Sequence, residues 1–193
     1  MKIRFNHLNG QYGKHNIVDL CEVYGTPEGE TDLFLFENGW LPTINNEWSQ
    51  SRSSRVKISP ISSRRKQQLK KISVKTVGNY SDILKKSKCW YDENCELFLD
   101  TMLSYDHEIY YFNDTVFGVL NWFNNIPYFS VVIGGRERRE GITPITCYYF
   151  LDKLIDNTYP YLYIGPWYEE FFYKAHYPGF EWWDGDKWND YIS

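Results

Sequence analysis

The sequence predicts an α/β (α+β) fold: a mixed, mostly antiparallel central sheet flanked by helices, with a small strand-and-helix region ahead of it. Three observations carry that expectation. Residues 108–112, 116–123 and 128–133 read as three strands joined by Asn113-Asp114 and Asn124-Asn125 turns, an antiparallel meander. A charged, glycine-bounded stretch at 134–141 then leads to a helix expected over 143–156 and a short buried strand at 161–164, the strand-helix-strand order that brings a parallel strand into a sheet. Aromatic residues make up 19% of the chain, with 17 Tyr and 8 Trp, a load that suits a strand-rich core or a stacking surface.

With 193 residues and 42% hydrophobic content, the chain suits one domain, or one and a half, with a real core. Cys21, Cys89, Cys95 and Cys147 form no C-x-x-C pair, and no charged, apolar, small-residue leader opens the chain. They read as reduced thiols in a cytoplasmic protein. No apolar run approaches the roughly 20 residues of a membrane span, so no membrane partner is expected. Charge is segregated: residues 51–88 hold twelve basic residues and the single acid Asp82, a local +11 that leaves −15 for the rest of a chain of net charge −4. A basic patch on an acidic body predicts a polyanion-binding face.

In chain order, residues 1–8 read as an opening strand with Ile3 and Phe5 alternating, and 10–13 as a turn. The apolar tetrad 33–36 is too short for its period to separate helix from strand, and Asn38-Gly39 ends it. Residues 40–48 and 55–58 read as strands around a polar connection. Pro60 closes the second, and Ser62 or Ser63 caps a helix through 64–72 whose apolar face is only Leu69 and Ile72, leaving its basic residues to solvent or phosphate. Ser81 caps a further short basic helix. Residues 93–105 form an amphipathic helix with Cys95, Leu97, Phe98, Met102 and Leu103 as its apolar positions.

The stretch 161–181 reads as a site-building unit. A strand at 161–164 is broken by Gly165 and Pro166, a short helix is expected over 167–176, and a further strand opens at Phe180. A proline past the end of a strand cannot donate to its neighbour's ladder, so the chain should splay there and open a cleft.

Meander, glycine-bounded basic loop, helix, parallel strand and helix resemble the GNAT superfamily of acyltransferases, in which loop N–H groups and a helix N-terminus hold an anion, usually the pyrophosphate of acetyl-CoA. The resemblance implies an anion loop at Arg136, Arg138, Arg139 and Gly141, although Arg139 stands where that superfamily's loop has its first glycine. A closer resemblance runs from residue 21 to 188. Tyr159-Pro160-Tyr161-Leu162-Tyr163-Ile164-Gly165, then Tyr173-Lys174-Ala175 and Glu181, are similar to the C-terminal signature of aminoacyl-tRNA-protein transferases, the arginyl and leucyl enzymes of N-end tagging. Cys21-Glu22-Val23-Tyr24, Glu37-Asn38-Gly39-Trp40, Ser51-Arg52-Ser53-Ser54-Arg55-Val56 and Ser62-Ser63-Arg64-Arg65 resemble that family's upstream motifs in order. Ser51 and Ser54 stand where its cysteines are expected, and Glu170 replaces a lysine, so no cysteine-bound metal or cluster is expected.

That resemblance implies a GNAT-like domain over residues 75–193, preceded at 1–74 by a strand-rich region with the basic helix. It implies an enzyme using aminoacyl-tRNA as co-substrate and an amine, on a protein or small molecule, as acceptor, with no further cofactor. Arg52, Arg55, Arg64, Arg65, Lys66, Lys70 and Lys71 are the expected tRNA phosphate contacts. In the cleft, Tyr173 is the candidate to protonate the leaving ribose oxygen, Lys174 to steady the oxyanion or a terminal phosphate, and His176 to act as base. Gly165, Trp167, Glu169 and Glu181 are expected to bind substrate, and Glu170, Asp184 and Asp186 offer further acidity. The four histidines show no zinc spacing, and no nucleophile elbow or Walker loop appears. Two other readings stay open: an acetyl-CoA-dependent N-acetyltransferase, and a non-catalytic RNA-binding protein on a degenerate transferase fold.

Overall fold

The computed structural model describes residues 2–12, 15–77, 93–134, 142–167 and 169–191, with side chains outside 3–22, 93–96, 133–134, 142–143 and 169–172. Two sheets hold the chain together. Strands β1 (Lys2–Tyr12) and β2 (His15–Thr26) form a long hairpin, and with β3 (Trp40–Pro42) and β4 (Trp48–Gln50) they build the smaller sheet, in the order β1-β2-β4-β3. The expected turn at 10–13 thus starts later: Gly10 still pairs with Ile17, after a register shift. The expected single strand over 40–48 is two strands, because Asn45 and Asn46 adopt left-handed backbone and fold the chain back so that Pro42 faces Trp48.

The undecided tetrad at 33–36 lies in helix α1 (Asp32–Glu37). Thr31 caps it, its hydroxyl accepting from Phe34 N at 3.2 Å. Leu35 and Phe36 are buried while Leu33 and Phe34 are exposed.

The larger sheet has eight strands, mixed and mostly antiparallel, in an α+β protein. Its members are β5 (Ser53–Lys57), β6 (Val74–Thr76), β7 (Asp106–Phe112), β8 (Val116–Phe123), β9 (Ile126–Gly134), β10 (Tyr161–Pro166), β11 (Phe180–Trp183) and β12 (Trp188–Asp190). They run in the order β12-β11-β5-β10-β9-β8-β7-β6, and β9 with β10 is its parallel pair. The predicted meander is β7-β8-β9, its turns carried by Asn113, Asp114 and Asn124 at positive φ, the backbone that Asn and Asp tolerate best after glycine. Its central strand β8 is buried along nearly its whole length, as a strand covered on both faces must be.

Alternate residues feed two cores. On one face Leu35, Phe36, Trp40 and Trp48 pack with Phe117, Val119, Phe123, Tyr128 and Tyr163, together with Leu99 and Met102 of α3 (Glu93–Ser104). Phe36 is the centre of that layer, in ring contact with Trp48, Phe123, Tyr128 and Tyr163. Leu97, expected on the apolar face of α3, is exposed, and Leu99 takes the buried place. On the other face Cys147, Phe150 and Leu151 of α4 (Ile142–Lys153), the crossover between β9 and β10, and Leu154 just past its end pack with Val56, Leu120, Phe129, Leu162, Ile164 and Phe180. Helix α2 (Ser63–Leu69) lies beside α4; Ser62 caps it, its hydroxyl accepting from Arg65 N. The expected Ser81 helix falls outside the described residues.

The boundary expected at residue 74 does not part the molecule. Strand β5, from the first region, is bonded on one edge to β10 and on the other to β11, both from the second.

Candidate functional site

Two features meet at β10, one on each face. Tyr163 points into the first core and Ile164 into the second, the two-residue alternation of a strand.

On the first face lies Arg55. It stands opposite Tyr163 on one side and Glu181 on the other, and is 5% exposed. Its Nε donates to Glu181 Oε2 at 2.7 Å and its Nη1 to Glu37 Oε2 at 3.2 Å, with the Tyr163 hydroxyl 3.4 Å away. The guanidinium carbon lies 3.7 Å from the ring centre of Tyr161 and 4.2 Å from that of Trp188. Glu37 Oε1 accepts from the Tyr159 hydroxyl, which lies 2.9 Å from that of Tyr163, and Trp188 Nε1 donates to the main-chain oxygen of Glu37 at 2.9 Å. A planar cation with two carboxylates at its edge and aromatic rings against it repays its desolvation, which a lone buried charge does not. Burial alone would lower the Arg55 pKa, but Tyr163 and Glu181 outweigh it and hold the guanidinium above its ordinary value. Burial pushes the Tyr163 hydroxyl up to about 12 and raises that of Tyr159 as well, so both stay protonated at neutral pH.

Small residues fit around this centre. Gly39 has φ of +74°, and a Cβ there would lie 2.3 Å from Trp183 Cγ, so the indole rests on its bare backbone. Ser53 Oγ donates to Gly39 O, and Ser54 Oγ donates to Gly165 O at 2.7 Å. Ser54, where the resembled family has a cysteine, thus ties β5 to the end of β10.

On the second face the parallel strands part. Strands β9 and β10 are in register at one pair, Tyr163 with Tyr128. Strand β9 itself bulges against β8: the register moves from Val119 with Val131 to Leu120 with Phe129, leaving Ser130 without an opposite. Just past the Tyr163 pair, Gly165 turns at φ of +82°, and the main-chain oxygens of Ile164 and Pro166 accept from Lys174 Nζ at 2.5 and 2.7 Å. Lys174 comes from a 3-10 helix, Glu169–His176, and is 8% exposed. Its burial holds the ammonium down at about 7, with Cys147 pulling the other way. The expected break after β10 is therefore a bulged strand end, since Pro166 still pairs with Ser53 while the chain leaves β9.

Tyr173, Lys174 and His176 do not converge. Lys174 reaches the parting of the strands, whereas Tyr173 packs against the Tyr177 ring and His176 is exposed; positions 173 and 176 share one side of the 3-10 helix, a third of a turn from 174. Trp167 is buried among Phe180, Trp182 and Tyr191 rather than lining an opening. Asp184 and Asp186 are exposed, while the side chains of Glu169 and Glu170 lie outside the described residues, as does the whole anion loop Arg136, Arg138, Arg139 and Gly141.

Among the seven basic residues expected on the tRNA face, Arg55 is not on the surface, since β5 is an inner strand and its guanidinium is paired inside. Arg65 is half-buried over the Tyr148 ring, 4.5 Å from its centre, and donates to Gln68 Oε1 at 2.8 Å. Arg52, Arg64, Lys66, Lys70 and Lys71 are exposed, Lys66 sharing its charge with Asp152 at 3.5 Å.

No known family model matches the chain. No curated protein matches it either. The site is therefore read from its own residues. Glu37, Tyr159 and Tyr161 were visible only as letters within quoted motifs, and Trp188 carried no signal; what joins them is the pairing of β5 with β10 and β11, which no local pattern encodes.

Proposed function

We propose that the protein is an acyltransferase on a GNAT-like fold that moves an amino acid from aminoacyl-tRNA to an amine. The observation that carries this reading is the convergence at Arg55. Glu37, Arg55, the tyrosines 159, 161 and 163, and Glu181 come from four separate segments singled out by resemblance to aminoacyl-tRNA-protein transferases, and they form one cluster of hydrogen bonds and ring contacts. Unrelated segments have no reason to meet in this way. The crossover from β9 through α4 to β10, with its strand parting and neighbouring bulge, supports the acyltransferase architecture.

The chemistry asks little of the protein, because an aminoacyl ester is already activated. The amine nitrogen attacks the ester carbonyl carbon, a C–N bond forms, the C–O bond to the ribose breaks, and the proton lost by the amine ends on the ribose oxygen. Atoms and electrons balance without an oxidant or reductant. The protein's part is to hold donor and acceptor together and to favour the developing charge. The exposed Arg52, Arg64, Lys66, Lys70 and Lys71 hold the tRNA backbone. Lys174 is a positioning residue: it binds two strand-end carbonyls and keeps the end of β10 turned away from β9.

A filter assay of labelled aminoacyl-tRNA turned over onto peptides and simple amines tests this. Transfer of at least one amino acid is expected, and no transfer of any amino acid from intact tRNA refutes it. Salt-dependent tRNA binding without turnover would instead mark an RNA-binding protein, and a thermal shift with acetyl-CoA would mark an N-acetyltransferase.

A further inference from the structure

At one corner of the second face four aromatic rings meet. Past the pair of Pro166 with Ser53, Trp167 lies opposite Arg52, whose main-chain oxygen accepts from Trp167 N at 2.7 Å, and on the next strand Trp182 stands opposite Ser54. The Trp167 ring lies 5.3 Å from that of Phe180, 5.5 Å from that of Trp182 and 5.4 Å from that of Tyr191. Trp167 and Phe180 are buried and hold the group in place, while Trp182 is half-buried and Tyr191 is 44% exposed. An aromatic ring that is fixed by its neighbours yet open to solvent offers a flat face at little entropic cost.

Charge is sorted by face around this corner. Glu181 and Asp190 are in register with Arg55 and share its first face, and Asp184 is taken up within its own turn, accepting from Asn189 Nδ2 at 2.6 Å. Arg52, opposite Trp167, is on the second face and exposed. Helix α2, which packs on that same side through Leu69, adds the exposed Arg64 and Lys66. Gly165, at the strand end that Lys174 holds, is two residues before Trp167.

We infer that this corner takes the unpaired 3′ end of the tRNA, with a base stacked on Tyr191 and Trp182 and Arg52 on the adjoining phosphate. A nucleotide uses ring and cation together, whereas an apolar protein segment covering the rings would leave Arg52 in the interface without a counter-charge. Stacking is indifferent to base identity, so the corner adds affinity for any single-stranded end. The inference rests on the aminoacyl-tRNA reading above: the basic helix holds the duplex, and the corner holds the strand that leads to the end of β10.

Two labelled RNAs separate the parts: a minihelix with a single-stranded ACCA tail, and the same minihelix trimmed blunt. Binding to the full chain is read by fluorescence anisotropy across a salt series. The tail is expected to tighten binding about tenfold. Tyr191→Ala is expected to remove most of that gain without changing the salt slope or the affinity for the blunt helix, and Tyr191→Phe to keep it. Arg52→Gln is expected to flatten the log–log salt slope of the tailed helix by about 0.7 and leave that of the blunt helix in place. No gain from the tail, a gain indifferent to Tyr191→Ala, or an equal loss in Tyr191→Phe overturns the inference. Should Tyr191→Ala fail to fold by circular dichroism, the Arg52→Gln contrast between the two RNAs decides alone, and no contrast overturns it. A native dimer that Tyr191→Ala splits, seen by light scattering together with no gain from the tail, would assign the corner to a second copy of the chain instead. Aminoacyl transfer without a Tyr191-dependent gain would keep the reaction and refute the stacking corner, while the gain without transfer would do the reverse.

Discussion

Arg55 and Lys174 show how far a residue's neighbours, rather than its type, decide its role. Both are basic residues expected to meet a phosphate or an oxyanion, and both are turned inward to protein oxygens: carboxylates for Arg55, main-chain carbonyls for Lys174. Lys174 leaves a mark on stability. Its value of about 7 in the folded chain lies below its ordinary 10.5. Between the two the unfolded chain binds the extra proton, so stability rises with pH from about 7 upward. The slope should be at most about 1.4 kcal/mol per pH unit. The window closes near pH 9, where unfolded Cys147 ionises while the folded thiol, raised by burial, does not. Urea midpoints at pH 7, 8 and 9 should climb for the native chain and run flat for Lys174→Met; equal slopes would contradict the assignment. The basic character of both residues was legible in the sequence. Their inward orientation was not, because it depends on strands up to 126 residues away in the chain.

At the scale of the elements, local signals worked where the element makes its own contacts. The Asn turns of the meander and the Ser62 cap of α2 rest on residues within three or four positions, and both formed where expected. Signals failed where burial came from elsewhere. The tetrad at 33–36 had no period to read because Leu33 and Phe34 face solvent while Leu35 is buried and Phe36 packs against Trp48 and Tyr163. Gly39 reads locally as a turn residue after α1, but what forbids a side chain there is Trp183, 144 positions on. Gly39→Ala combines a strained positive φ with a Cβ inside an indole, and should cost about 3 kcal/mol, read as a lower urea midpoint. Gly29, also at positive φ but with nothing within 4 Å, is the control: Gly29→Ala should lose only the conformational part, about 1 kcal/mol.

The whole molecule is joined where the sequence invited a cut. A basic first region and an acyltransferase-like second region are separable on paper, but β5 sits between β10 and β11 and carries Arg55 between them. Residues 75–193 alone would expose two strand edges and leave Glu181 without its cation. That fragment should show no cooperative unfolding transition by circular dichroism, whereas 1–193 should show one; a cooperative fragment would mean that β5 is dispensable. Arg64 and Lys66 on α2, with Lys70 and Lys71 just past its end, stay exposed, while Arg55 of the same basic segment enters the core.

The amino-acid sequence by itself determined the meander, the crossover helix, the exposed basic helix and the strand that opens at Tyr161, since each follows from spacing, caps and turns within a dozen residues. Only the tertiary structure decided that the strand end is held by Lys174, that Lys174 is buried while His176 is exposed, and that Glu37, Arg55, Tyr163 and Glu181 form one bonded cluster. Those outcomes depend on which strands pair across the sheet, and that choice is made by the burial of whole faces, a property no single stretch of sequence carries.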